Sequence, residues 1–181
     1  MIIVVIAVLI VACEISFWVF VLAGLCARYL AGFKRLGAAL LLATPIVDLF
    51  LLIFTVVDIR NGAKPEFMHG LAAIYVGVTV AYGHRMIKWA DERFAYRFAG
   101  GAKPVKAPKH GTEHARRERK GWYRHLLAWF IGSILIMLMI LIVGDWKRTE
   151  SLMRVPLSWG GIVAIDFLIS FSYTLWPREK R

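Results

Sequence analysis

Three carboxylates stand in strongly apolar surroundings: Glu14 in "VACEISFWVF", Asp48 in "TPIVDLFLL" and Asp166 in "GGIVAIDFLISF". A charged side chain at the centre of a bilayer costs roughly 2.5–3.5 kcal/mol on the insertion scale, so such residues turn inward and mark chemistry. No Lys or Arg lies near them in sequence to neutralise them. Clustered in a low dielectric, at least one of the three is expected to hold its proton. A neutral carboxylic acid in a dry pocket can donate that proton to a substrate or pass it along a relay. The plainer alternative is that buried acids bond helices together across their interfaces.

The neighbours of these acids repeat at helical spacing. Trp159, Asp166, Ser170 and Tyr173 share one face, as do Tyr75, Thr79 and Tyr82. Trp122, His125, Trp129 and Ser133 line up in the same way, and Phe17 and Trp18 follow Glu14 by one turn. Thr44 precedes Asp48 by one turn, and Pro45 removes a backbone donor beside it. The expected binding set is therefore Phe17, Trp18, Tyr75, Thr79, Tyr82, Trp129, Trp159, Ser170 and Tyr173, around Glu14, Asp48 and Asp166. Taken alone, the aromatic stripes also read as ordinary packing or interfacial belts.

The elements that hold these residues follow from composition. Of 181 residues, 59% are apolar and 19% charged, against about a quarter charged in a typical soluble domain. A span needs about 20 mostly apolar residues, and five stretches qualify: about 2–27, 37–58, 67–88, 123–144 and 156–176. All must be helical, because lipid leaves no partner for the backbone of an open strand. The expected fold is an all-α integral membrane protein. It is a five-transmembrane-helix bundle in which residues 1–181 form a single transmembrane domain. In alternating directions, Glu14, Asp48 and Asp166 reach a similar depth near the midplane. The start lacks a basic region before its apolar run, which favours a retained helix over a signal peptide.

The net charge of +11 is unevenly placed. The first and third connections and the tail hold 18 Lys and Arg; the second and fourth connections hold 5. The positive-inside rule then sets the N-terminus outside and the C-terminus in the cytoplasm. The basic cytoplasmic loop, 89–122, is expected to meet anionic lipid rather than nucleic acid. Its first part, "WADERFAYRF", reads as a helical extension at the lipid surface, and "AGGAKPVKAPKHG" as a flexible linker. Cys13 and Cys26 are about 20 Å apart along one helix and cannot pair. His110 and His114 stand four apart with no third ligand in view, a weak metal signal. His69, His84 and His125 do not make matched haem ligands, so neither a metal nor a cofactor is expected. Asp58, Glu66, His69 and Asp145 read as residues of the outer rim. The chain is expected in the cell membrane as a multi-pass protein.

Two chemistries suit this lining. Acid together with aromatic rings suits proton-initiated cyclisation of an isoprenoid, since ring faces attract a developing cation by about 0.5–2 kcal/mol per contact. Midplane acids also suit a proton- or cation-coupled transporter or channel, although no internal repeat is visible. A third class is an accessory subunit that binds a partner through the basic loop.

The runs "TPIVDLFLLIFTVVDIRNG" and "HGLAAIYVGVTVAYGHRMIKWADERFAYRFAGG" resemble small multi-pass proteins of actinobacteria. In size, acids and aromatics the chain is also similar to the membrane-bound terpene cyclases of indole-terpenoid, drimentine-type pathways. That resemblance implies metal-independent protonation and cyclisation of a farnesylated indole or cyclodipeptide. It implies that Glu14, Asp48 and Asp166 do the acid work. Asp48 or Glu14 would then be the proton donor and Asp166 its partner. Tyr75, Trp18, Trp129 and Trp159 would be the cation-stabilising surfaces.

Overall fold

The computed structural model describes residues 2–63, 67–98, 100–105, 107–108 and 110–176. Within them, the side chains at 2–4, 6, 7, 10, 14, 67–69, 94 and 98 lie outside the described residues, and with them the side chains of Glu14 and His69. Glu66 lies outside them altogether. Among the described residues the chain forms five α-helices and no strand: α1 Ile2–Tyr29, α2 Lys34–Arg60, α3 Phe67–Phe98, α4 Gly111–Val143 and α5 Trp146–Leu175.

Four of these, α1, α2, α4 and α5, contain stretches long and apolar enough to cross a membrane. The third does not reach that mark, because Gly70, Gly77, Gly83, Tyr75, Thr79, Tyr82 and His84 dilute its apolar run. Large apolar side chains stand on the surface, Leu168 at 68% exposure and Leu22 at 59% among them. Surface of that kind belongs against lipid rather than water.

Three helices run further than the apolar pattern alone sets. The stretch "WADERFAYRF" continues α3 without a break to Phe98, and Gly100 beyond it takes φ 63°. Helix α4 starts at Gly111 (φ 72°), so the charged run "TEHARRERK" is its first turns. Hydropathy ends a span where charge begins, but Ala, Glu, Lys and Arg are good helix formers and carry the backbone on. Helix α3 ends at Phe98 and α4 starts at Gly111, so the helices take up much of the basic connection. Helix α5 begins ten residues before Pro156, because Asp145 closes its first turn. The carboxylate Oδ1 of Asp145 accepts from the Arg148 N–H at 3.2 Å, and its carbonyl accepts from Thr149 N and Oγ1 at 3.1 and 2.8 Å.

By compactness the chain divides into two units. One comprises Met1–Val76 with Ile131–Pro156, the other Gly77–Phe130 with Leu157–Arg181. In the first unit α1 and α2 form a hairpin. Gly32 takes φ 76° at its turn, a left-handed conformation that glycine adopts without steric cost. The two helices approach so closely that a Cβ on Gly37 would lie 2.6 Å from the Gly24 carbonyl oxygen and would collide with Arg28. Gly37→Ala is therefore expected to cost about 1–3 kcal/mol by forcing the pair apart. Thermal unfolding in detergent measures that loss, and Gly121→Ala, where a Cβ meets open space, is its control. Below the hairpin lies an apolar core: Leu52, Val56 and Ile59 of α2, Ala72, Ala73 and Val76 of α3, Ile136, Met139 and Ile140 of α4, and Leu152 and Val155 of α5. Gly70 lets Val155 close over α3, with Val155 Cγ2 2.8 Å from where a Cβ would be.

In the second unit α4 and α5 run antiparallel, and residues climbing α4 pair with residues descending α5. His114 meets Tyr173 edge-on at 4.8 Å, and Arg119 Nη1 donates to Thr174 Oγ1 at 2.6 Å. The Trp122 indole donates to the Val163 carbonyl at 3.0 Å, and Gly160 gives the Trp129 indole room to lie against α5. From α3, the Tyr82 hydroxyl donates to the Gly121 carbonyl at 3.3 Å.

Candidate functional site

The α4–α5 contact in the second unit carries a hydrogen-bonded chain of four side chains. The Trp159 indole Nε1–H donates to His125 Nε2 at 3.0 Å. On the other side of the ring, His125 Nδ1 lies 2.8 Å from Asp166 Oδ2. Ser170 Oγ lies 3.3 Å from Asp166 Oδ1. An indole nitrogen only donates, so Nε2 must accept and the ring's own proton sits on Nδ1, aimed at the carboxylate. The geometry is self-consistent with one neutral tautomer of His125 and with Asp166 accepting from it.

The chain is legible as helix geometry. Trp159, Val163, Asp166, Ser170 and Tyr173 form one stripe of α5 at spacings of four, three, four and three. Trp122, His125 and Trp129 form the facing stripe of α4. Trp159 and Ser170 are buried at 8% and 2% exposure. The His125 and Asp166 side chains are 22% and 35% exposed, so the acid–imidazole pair reaches the edge of the contact. Beside the pair, Trp122 packs edge-on against Phe167 and Phe171 with centroids at 5.1 and 5.4 Å, and Phe167 and Phe171 are 4.3 Å apart. The α4–α5 contact of this unit thus carries an acid, a base and three aromatic rings.

Asp48 lies in the first unit and is different in kind. It is 2% exposed, and among the described residues its Oδ2 has no hydrogen-bond partner. One turn before it, Thr44 spends its hydroxyl on the Leu41 carbonyl at 2.8 Å. Two turns after it, Thr55 is buried with its hydroxyl also unpartnered. A buried carboxyl oxygen with no partner is costly in an apolar interior.

The other expected site residues separate by unit. Phe17 stacks on Tyr75 in the first unit, with centroids at 5.8 Å and planes at 22°. Trp18 meets Phe17 edge-on at 5.6 Å but is 62% exposed. Thr79, Tyr82, Trp129, Trp159, Ser170 and Tyr173 belong to the second unit, with Asp166. Of these, Trp159 and Ser170 join the Asp166 chain directly. His125, its central member, is absent from the expected set. Its alignment with Trp122 and Trp129 was visible in the sequence, but its partner is 41 residues away on another helix. Among the described residues, no group of three His, Cys, Asp or Glu stands close enough to hold a metal ion.

Helices of this length and apolar composition define an all-helical, multi-pass membrane protein. The chain is 45% identical over 177 residues to the Uncharacterized membrane protein YmcC of Bacillus subtilis (strain 168), covering 97% of this chain and 95% of that protein, and it belongs to the YmcC family. No protein-family model matches it, and no solved structure matches it.

Proposed function

We propose that the protein is a membrane-embedded terpene cyclase in which Asp166 protonates an isoprenoid chain. The observation that carries this reading is the Trp159–His125–Asp166–Ser170 chain beside the rings of Trp122, Phe167 and Phe171. With His125 occupying Oδ2, the proton of the neutral acid resides on Oδ1. Transfer of that proton to an alkene carbon forms a C–H bond from the π electrons and leaves a tertiary carbocation. A second alkene of the same chain attacks the cation and forms a C–C bond. Loss of a proton from the carbon beside the final cation regenerates a double bond and returns the proton to the site. The reaction is an isomerisation and consumes no co-reactant. The carboxylate left in mid-reaction is held by the His125 N–H and the Ser170 hydroxyl. The rings face the cation, and the apolar surroundings keep water from quenching it. Substrates of this class include a farnesylated indole or cyclodipeptide. Glu14 and Asp48, both of the first unit, are proposed as further acids in their own right.

In this reading α3 is the fifth span of a five-helix bundle in the cell membrane. The N-terminus is outside and the C-terminus cytoplasmic. The Lys and Arg distribution supports that orientation, and the basic stretch from Arg85 to Arg124 faces anionic lipid.

A second reading, a proton- or cation-coupled transporter, is favoured by Asp48, whose buried Oδ2 has no partner among the described residues. One experiment separates the two. Protein reconstituted in liposomes is given a farnesylated indole, and cyclised product and proton flux are both followed. Cyclised product supports the enzyme. Proton flux without product, abolished by Asp48→Asn, supports the transporter.

A further inference from the structure

His125 is held from both sides, and only one protonation state fits both holds. The indole N–H of Trp159 needs an acceptor at Nε2, 3.0 Å away, and Asp166 takes the N–H at Nδ1, 2.8 Å away. A proton arriving at Nε2 turns that acceptor into a donor. Two N–H groups then point at each other, and the Trp159 bond cannot persist. The Asp166 bond keeps its donor, because Nδ1–H is present in both states of the ring. Proton uptake therefore breaks the first bond and leaves the second in place.

We infer that Trp159 is a displaceable cap on a proton-binding histidine: the indole covers Nε2 while His125 is neutral and is released when His125 takes up a proton. The released state presents a new donor, Nε2–H, to whatever occupies this face, and frees a large aromatic ring to move. Within the second unit, charged and titratable groups near the pair come from α3, α4 and α5. Asp166 comes from α5 and Arg124 adjoins His125 on α4. From α3, Tyr82 lies within electrostatic range of Asp166, Arg124 and Arg85. Asp166 accepts from Nδ1–H in both states of the ring. Arg124, whose Nη1 is buried without a hydrogen-bond partner among the described residues, and Arg85 are the cations within range of Tyr82. The cap goes beyond the proposed reaction and rests only on the bonding of His125, so it stands whether Asp166 protonates a substrate or relays protons.

Nuclear magnetic resonance of the full chain in lipid nanodiscs, labelled with ¹⁵N at His and Trp, tests the cap. His125→Gln and Trp159→Phe assign the two signals. Through-bond correlation in the unsubstituted protein assigns them if either variant fails to fold. The titration runs from about pH 8 to about pH 5, the range in which imidazoles ordinarily titrate. At the upper end His125 is expected to show a protonated Nδ1 and a bare Nε2, with the Trp159 indole proton shifted downfield by its bond. On acidification both His125 nitrogens become protonated, and the Trp159 signal moves with the same midpoint while the other indoles stay. A neutral His125 protonated at Nε2 would overturn the cap. So would a Trp159 signal that holds still as His125 titrates, or a His125 that takes up no proton down to pH 5. Turnover of an isoprenoid substrate is measured separately, so failure of the cap and failure of the cyclase reading are distinguishable.

Discussion

Asp166→Asn is expected to lower cyclisation of a farnesylated indole by about 10²–10⁴-fold, the range that a positioned general acid contributes. The change is nearly isosteric. The carboxamide oxygen of Asn still accepts from His125 Nδ1–H, so the α4–α5 contact survives and thermal stability should change little. Only the transferable proton is lost. His125→Gln should lose activity to a similar degree by removing the donor at Oδ2 that holds the carboxylate in mid-reaction. The double variant should be no slower than the worse single one, since residues that act as a unit are not additive. Product formation by Asp166→Asn at the unsubstituted rate would rule out Asp166 as the proton donor.

Asp48→Leu is expected to raise stability by about 1–3 kcal/mol, because it removes a buried carboxyl whose Oδ2 has no partner and fills the space with carbon. The same change should abolish whatever function Asp48 serves, read as proton flux or as cyclised product. Asp48→Asn separates the parts. It keeps the shape and the buried polar atoms, so it should give little or none of the gain in stability while still losing function. Thermal unfolding of the three proteins in one detergent, with flux and product measured in liposomes, makes the comparison. A fall in stability on Asp48→Leu would mean that the carboxyl holds helices together, which is the plain structural role for a buried acid.

Helix existence was legible because hydropathy and helical period are local properties. Each run near twenty apolar residues in α1, α2, α4 and α5 announces itself without reference to any other part of the chain. Helix ends were less legible. The apolar pattern stops near Lys88 and resumes near Tyr123, but the backbone stays helical to Phe98 and again from Gly111. Charge ends a hydrophobic run without ending a helix. The glycines at the turns marked the true ends more faithfully, because Gly100, Gly111 and Gly144 take positive φ.

The sequence by itself determined the class of this protein, its apolar spans, and the oddity of Glu14, Asp48 and Asp166. It also placed Trp159, Asp166, Ser170 and Tyr173 on one helical face, since a period of 3.6 residues is enough to do so. Only the tertiary structure decided which side chains face that stripe. The partner of Asp166 is His125, and the partner of His125 is Trp159, across 41 and 34 residues of chain. No spacing rule encodes such a pairing, because the register between two helices is set by how their surfaces pack. Small residues such as Gly160, which admits Trp129 to α5, fix that register. Burial separated the acids in the same way. Asp48 and Asp166 look alike in sequence, but one ends in an unpartnered oxygen and the other in a hydrogen-bonded chain.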